Sequence, residues 1–170
     1  MKASKNICKS FFLLAMAAVC INTSIAQNSG KEKTDNKAAA IKNLIDSQNF
    51  VFKATMVVPL GGRSRQLTSD YDLKVSKEAV VSYLPYFGRA YSATPGATGG
   101  VEFTSKDFQY NIKENKKGGW DITIKPKDTH DVRELFLTVF KNGTANLMVT
   151  SNNRQNISYY GYVSESKPKK

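Results

Sequence analysis

A chain of 170 residues with 25 lysines and arginines against 14 aspartates and glutamates carries a formal charge of +11. That length suits one domain. Two cysteines, Cys8 and Cys20, and a single histidine, His130, exclude a disulfide-dense scaffold and a zinc centre built on paired histidines, and leave any histidine-dependent triad to His130 alone.

Lys2, Lys5 and Lys9 precede an apolar run from Phe11 to Val19, and small residues lead on to Ser24-Ile25-Ala26. This is the pattern of a secretory signal, with cleavage expected between Ala26 and Gln27. The run is too short to remain as a membrane anchor, so no transmembrane segment is expected in the mature chain. The protein is therefore expected to be exported, periplasmic or secreted. Val19 stands where a lipoprotein signal needs a small residue, which argues against lipid anchoring through Cys20. Cleavage removes both cysteines and leaves 144 residues with 22 basic and 14 acidic side chains, a balance of +8. The expected divisions are a signal peptide over 1–26, a disordered leader over 27–33, a single β-rich domain with an N-terminal helix over 34–164, and a basic tail over 165–170. Much of the positive excess lies in the flanks, as expected of solvated tails.

A helix is expected next, capped by Thr34 or Asp35, because Ala38, Ile41, Leu44, Ile45 and Gln48 fall at helical spacing. From Phe50 the period changes to two. Phe50, Phe52, Ala54, Met56 and Val58 share a face before Pro59 and the Gly61-Gly62 turn. Leu67, Tyr71, Leu73 and Val75 alternate with polar neighbours, as in a strand with one wet face. Val80 to Leu84 gives a third strand, and Pro95-Gly96 with Gly99-Gly100 marks a loop before Val101 and Phe103.

The second half reads as hairpins. Phe108, Tyr110 and Ile112 face one way, Lys116 to Gly119 turns, and Trp120, Ile122 and Ile124 return. Leu135 to Phe140 is apolar on both faces, so that strand should be central or covered. Asn142-Gly143 predicts a type I′ turn into Ala145–Thr150, and Asn152-Asn153 turns into a last strand where Ile157, Tyr159 and Gly161 alternate with Ser158, Tyr160 and Tyr162. The fold class that follows is mainly β: an antiparallel meander of about eight strands forming a barrel-like or curled sheet, with one N-terminal helix packed on it.

Few residues carry chemistry. His130, between Thr129 and Asp131 in a polar connection, reads as a surface turn residue, and neither a nucleophile-elbow pattern nor a phosphate-binding glycine pattern is present. Asp70 and Asp72 sit two apart on a strand, the spacing from which an acid/base pair or calcium site begins, but Thr68 and Lys74 share that side and favour a solvated face. No catalytic residue, metal ligand or cofactor is assigned. Arg63, Arg65, Lys74, Lys77 and Arg89 are basic residues of one half, without a nucleic-acid-binding motif, and no nucleic acid is expected as a partner.

The stretch Ser82-Tyr-Leu-Pro-Tyr-Phe-Gly-Arg-Ala-Tyr91 concentrates four aromatics, a proline, a glycine and an arginine. Pro85 lacks a backbone donor and should end a strand near Leu84, while Gly88 permits a conformation that a side chain would hinder. Tyr83, Tyr86, Phe87 and Tyr91 supply rings, and Arg89 can stack on a ring or grip a carboxylate at two points. One reading is a binding site of these five residues, with Arg154 as a second cation. The other is that the rings plug the end of the sheet. This stretch resembles the hallmark motif of the domain of unknown function 4251 family, exported proteins typical of Bacteroidota. Phe52 with Pro59, the Leu67–Val75 strand, Gly143-Thr-Ala-Asn-Leu147 and Ser151-Asn-Asn-Arg-Gln-Asn-Ile-Ser-Tyr159 ahead of Gly161 extend the likeness. It implies an exported, mainly β protein and brings no catalytic residues.

The expected function is a non-enzymatic periplasmic or envelope-associated binding protein for a small amphipathic or hydrophobic ligand or a glycan. The alternative is an envelope protein-interaction or structural module with a protein partner. A carboxylate-dependent hydrolase comes third.

Overall fold

The change of period at Phe50 marks the passage from helix to sheet in the computed structural model, which describes residues 25–91, 99–116 and 118–166, with side chains from Asp35 onward. Helix α1 (Ile25–Asp46) precedes nine strands: β1 (Phe50–Pro59), β2 (Arg65–Val75), β3 (Val80–Leu84), β4 (Val101–Ser105), β5 (Phe108–Glu114), β6 (Trp120–Pro126), β7 (Val132–Val139), β8 (Thr144–Ser151) and β9 (Ile157–Glu165). The apolar run from Phe11 to Val19 with the cleavage signal expected after it, Cys8, Cys20, the Pro95-Gly96 pair, Lys117 and Lys167–Lys170 lie outside the described side chains. No helix among the described residues is long and apolar enough to cross a membrane.

All pairings are antiparallel, in the order β4-β3-β2-β1-β9-β8-β7-β6-β5. The first and last strands meet, from Phe50 opposite Glu165 to Pro59 opposite Ile157. The break in the ring therefore falls between β4 and β5, consecutive strands joined by Lys106-Asp107 that do not pair with each other. The sheet is a nearly closed, barrel-like meander. Its inward side chains, among them Phe52, Leu73, Ile122, Leu137, Leu147 and Tyr159, are fully buried, and each large apolar group so placed is worth about 1.5–3 kcal/mol. Ile41 and Ile45 of α1 complete this core, and the Tyr110 hydroxyl on β5 donates to the Ile45 carbonyl at 3.1 Å. β7 lies between β6 and β8, as its two apolar faces required.

Three expectations need correction. α1 starts at Ile25, so residues 27–33 belong to it and Thr34 and Asp35 lie inside the helix rather than at its cap. β1 does not keep one parity: the register shifts at Thr55, so Val57 is fully buried while Met56 and Val58 turn partly outward. Such a bulge inserts one residue and flips every later side chain. β2 does keep its one wet face, with Leu67 and Tyr71 packed partly buried against the core and Leu73 and Val75 buried, while its pairing with β3 runs only from Asp72 to Val75. The Asn142-Gly143 turn is not type I′, because Asn142 does not take a positive φ. Gly143 alone is left-handed there (φ 82), its N–H donates to the Phe140 carbonyl at 2.8 Å, and Phe140 N–H donates to Thr144. This is a type I turn closed by a glycine bulge.

The open seam is fastened by one carboxylate. Asp128, in the β6–β7 connection, accepts from the Ser105 hydroxyl at 2.5 Å and from the N–H groups of Lys106 and Asp107 at 2.8 and 3.3 Å. The Ser105 hydroxyl, followed by these backbone donors, lowers the Asp128 pKa from 3.8 to about 2. A depressed pKa in the folded state contributes stability that is present above about pH 4 and lost as pH falls through 2. Asp128→Asn should therefore flatten the dependence of Tm on pH between 4 and 2. Thermal melts of both proteins across that window check this, and parallel acid limbs would contradict it.

Candidate functional site

β3 ends at Leu84, where Pro85 withdraws its donor, and the chain then runs across the sheet end to meet the β8–β9 turn. Three backbone ties fix it there. Ala90 bridges Arg154, Tyr91 N–H donates to Asn153 at 2.8 Å, and Gln155 N–H donates to the Arg89 carbonyl at 3.0 Å. The Tyr159 hydroxyl, deep in the core, donates to the Pro85 carbonyl at 2.7 Å. Burial raises the pKa of this phenol, which keeps it a donor.

Beneath the ribbon lies a cation with structural duties. The Arg154 side chain is 10% exposed; its Nη1 donates to the Gly100 carbonyl at 2.7 Å, and its Nη2 meets Asp131 Oδ2 at 2.5 Å, an ion pair whose alignment falls short of a hydrogen bond. The guanidinium also sits over the Tyr86 ring, 5.1 Å from its centre. The Tyr86 hydroxyl reaches the Arg89 and Gln155 carbonyls at 2.9 and 3.0 Å. Gly88 is needed for this return: a Cβ there would lie 2.5 Å from the Tyr86 hydroxyl, while its φ is not left-handed. Three connections, β3–β4, β6–β7 and β8–β9, thus converge on Arg154 and Tyr86, and these two candidates are committed to holding the ribbon together.

The other candidates face outward. Tyr83, Phe87, Arg89 and Tyr91 are exposed, Tyr91 most among the three rings at 71%. Tyr83 stacks on Tyr71 of β2, with ring centres 5.6 Å apart and planes 29° from parallel. The Arg65 guanidinium lies 4.8 Å from the centre of the Phe87 ring. The ribbon and the free half of β2 therefore share a surface of rings and arginines. Asp131, Tyr71 and Arg65 were not among the sequence candidates. Arg65 had a signal: it follows the Gly61-Gly62 turn in a chain with only five arginines.

The remaining polar candidates are dispersed. His130 is exposed in the β6–β7 connection, and its carbonyl accepts from the Asn152 amide at 3.0 Å. Asp70, 96% exposed, lies 3.8 Å from Lys53, whereas Asp72 lies 3.4 Å from Lys74. The two carboxylates thus answer to different lysines.

Residues 32–163 match the family model described as Domain of unknown function (DUF4251). None of the curated proteins matches the chain. Among solved structures, the chain is similar to the crystal structure of a DUF4251 family protein from Bacteroides eggerthii, with a TM-score of 0.53 and 19% identity over 78% of this chain and 87% of that one. At that identity the likeness speaks for the fold.

Proposed function

Because the chain belongs to the DUF4251 family, which brings no chemistry with it, we propose its function from the surface alone: a non-enzymatic binding protein that acts after export and takes a glycan on its ring-and-arginine face. The carrying observation is the ribbon from Tyr86 to Tyr91. Its backbone is held by the β8–β9 turn and by Tyr86, while Phe87, Arg89 and Tyr91 project to solvent. A recognition surface fixed in advance loses little freedom on binding. Sugar rings present flat C–H faces that rest on aromatic rings, and the Tyr71–Tyr83 stack and Phe87 offer such rings at the surface. Small amphipathic ligands fit the same chemistry and are a further outcome of the test.

Calorimetric titration of the processed protein with a panel of oligosaccharides and a short-chain fatty acid tests this. Replacing Tyr83 and Tyr91 together by alanine should weaken glycan binding at least tenfold with the melting temperature nearly unchanged, since both rings are exposed. Unaltered affinity in that double variant would remove the face from consideration.

One observation favours a second reading, an envelope protein-interaction module. β4 and β5 each have a strand partner on one side only among the described residues, and an open edge accepts an added strand. Recovery of one protein partner from envelope extracts, lost on placing proline at Tyr110, would favour that reading over the glycan one.

A further inference from the structure

We propose that the ligand of this face is an acidic saccharide, its carboxylate or sulfate held by Arg65 and Arg89. The inference rests on the glycan reading above and adds a charge to it. The chain has five arginines, and their charges are handled in different ways. Arg154 is buried and cancelled by Asp131. Arg63, Arg65 and Arg89, and Arg133 on β7, have no carboxylate in ion-pair reach among the described residues, although six acidic side chains are so engaged by other cations. The segment 92–98 beside Tyr91 reads Ser-Ala-Thr-Pro-Gly-Ala-Thr and adds no acid. Asp72 and Glu102 flank Tyr83 across the strands, but neither they nor any other described carboxylate pairs with Arg65 or Arg89, whose charges stay open to a ligand.

Placement makes that charge usable. Arg65 lies over Phe87, two residues from Arg89, and the Arg89 carbonyl is pinned by Gln155 N–H and the Tyr86 hydroxyl. The backbone that presents Arg89 is thus set, while its guanidinium is open to solvent. Planar guanidinium groups bind carboxylate and sulfate oxygens at two points, which the ammonium groups of the flanking lysines do not. A saccharide laid on the rings would bring an acidic substituent within reach of both arginines.

The test uses the processed protein with three probes: oligogalacturonate for carboxylate, a heparin fragment for sulfate, and dextran as a neutral control, each titrated calorimetrically at low and physiological salt. At least one acidic probe should bind tenfold or more tightly than dextran, with affinity falling as salt rises. The double variant Arg65→Gln/Arg89→Gln should lose that advantage about tenfold and melt at the same temperature. Dextran bound as tightly as the acidic probes would overturn this inference and leave the glycan reading standing. Acidic binding that persists in the double variant would assign it to the lysine-rich flanks and also overturn it. Absence of binding by all three would overturn both.

Discussion

Replacing Gly161 by alanine should destabilise the protein by about 3 kcal/mol and lower its melting temperature by roughly 10 °C. Gly161 pairs with Ala54 on one side and Ala145 on the other, at the level where β1 bulges around Thr55. Beside the bulge, a Cβ at Gly161 would collide with the Lys53 carbonyl oxygen and with Lys53 C. These are backbone atoms of a neighbouring strand, so no rotamer change relieves the clash. Either the β1–β9 ladder parts or the bulge migrates, and both disturb the pairing that joins the two halves of the meander. Differential scanning calorimetry checks the shift. A variant melting within a degree of the parent would mean that the β1–β9 junction yields freely.

Removing Arg154 should have a comparable effect by a different route. Arg154→Ala leaves the Asp131 carboxylate, already lacking a well-aligned donor, buried without its counter-charge, and frees the Gly100 carbonyl and the Tyr86 ring. Breaking one partner of a buried ion pair costs about 3 kcal/mol or more. Arg154→Lys should recover only part of it, since an ammonium cannot span Gly100 and Asp131 with a rigid fork. In Arg154→Ala the added change Asp131→Asn should cost less than it does alone, because the stranded charge is gone. Urea titration of the four proteins gives the cycle. Strictly additive effects would contradict the coupling.

Much of this fold is legible in the sequence, and the parts that are not have a common cause. Trp120, Ile122 and Ile124 alternate with polar residues and are buried as that alternation requires; periodicity is a local property that a window of residues carries. The bulge at Thr55 lies against Gly161, more than a hundred residues away, so Phe50 to Val58 shows an unbroken alternation that the structure interrupts. The joining of β1 to β9 is likewise a pairing that no window contains. Asn142-Gly143 marks its turn correctly, but Gly143 alone supplies the left-handed residue.

The candidate surface shows the same division. Its location was readable, because so many rings beside a proline and a glycine concentrate in Tyr83–Tyr91. The roles of its two arginines were not. Arg89 and Arg154 are alike as letters, and only the Ala90–Arg154 bridge, which places one above the ribbon and the other beneath it, makes Arg89 available and Arg154 structural. Gly88 was noticed for its flexibility, whereas its use is the space it leaves for the Tyr86 hydroxyl.

Binding on this face requires that ligand contact the outward side of that ribbon. Chemical-shift mapping of the 15N-labelled protein, titrated with oligogalacturonate, tests this most directly. The expected result is a set of perturbed amides confined to Arg65, Tyr71, Tyr83 and Phe87–Tyr91, with the outward Met148, Tyr160 and Tyr162 of β8 and β9 unmoved. Saturable perturbations centred on β8 and β9, or on the β4 and β5 edges, with the ribbon silent, would contradict it.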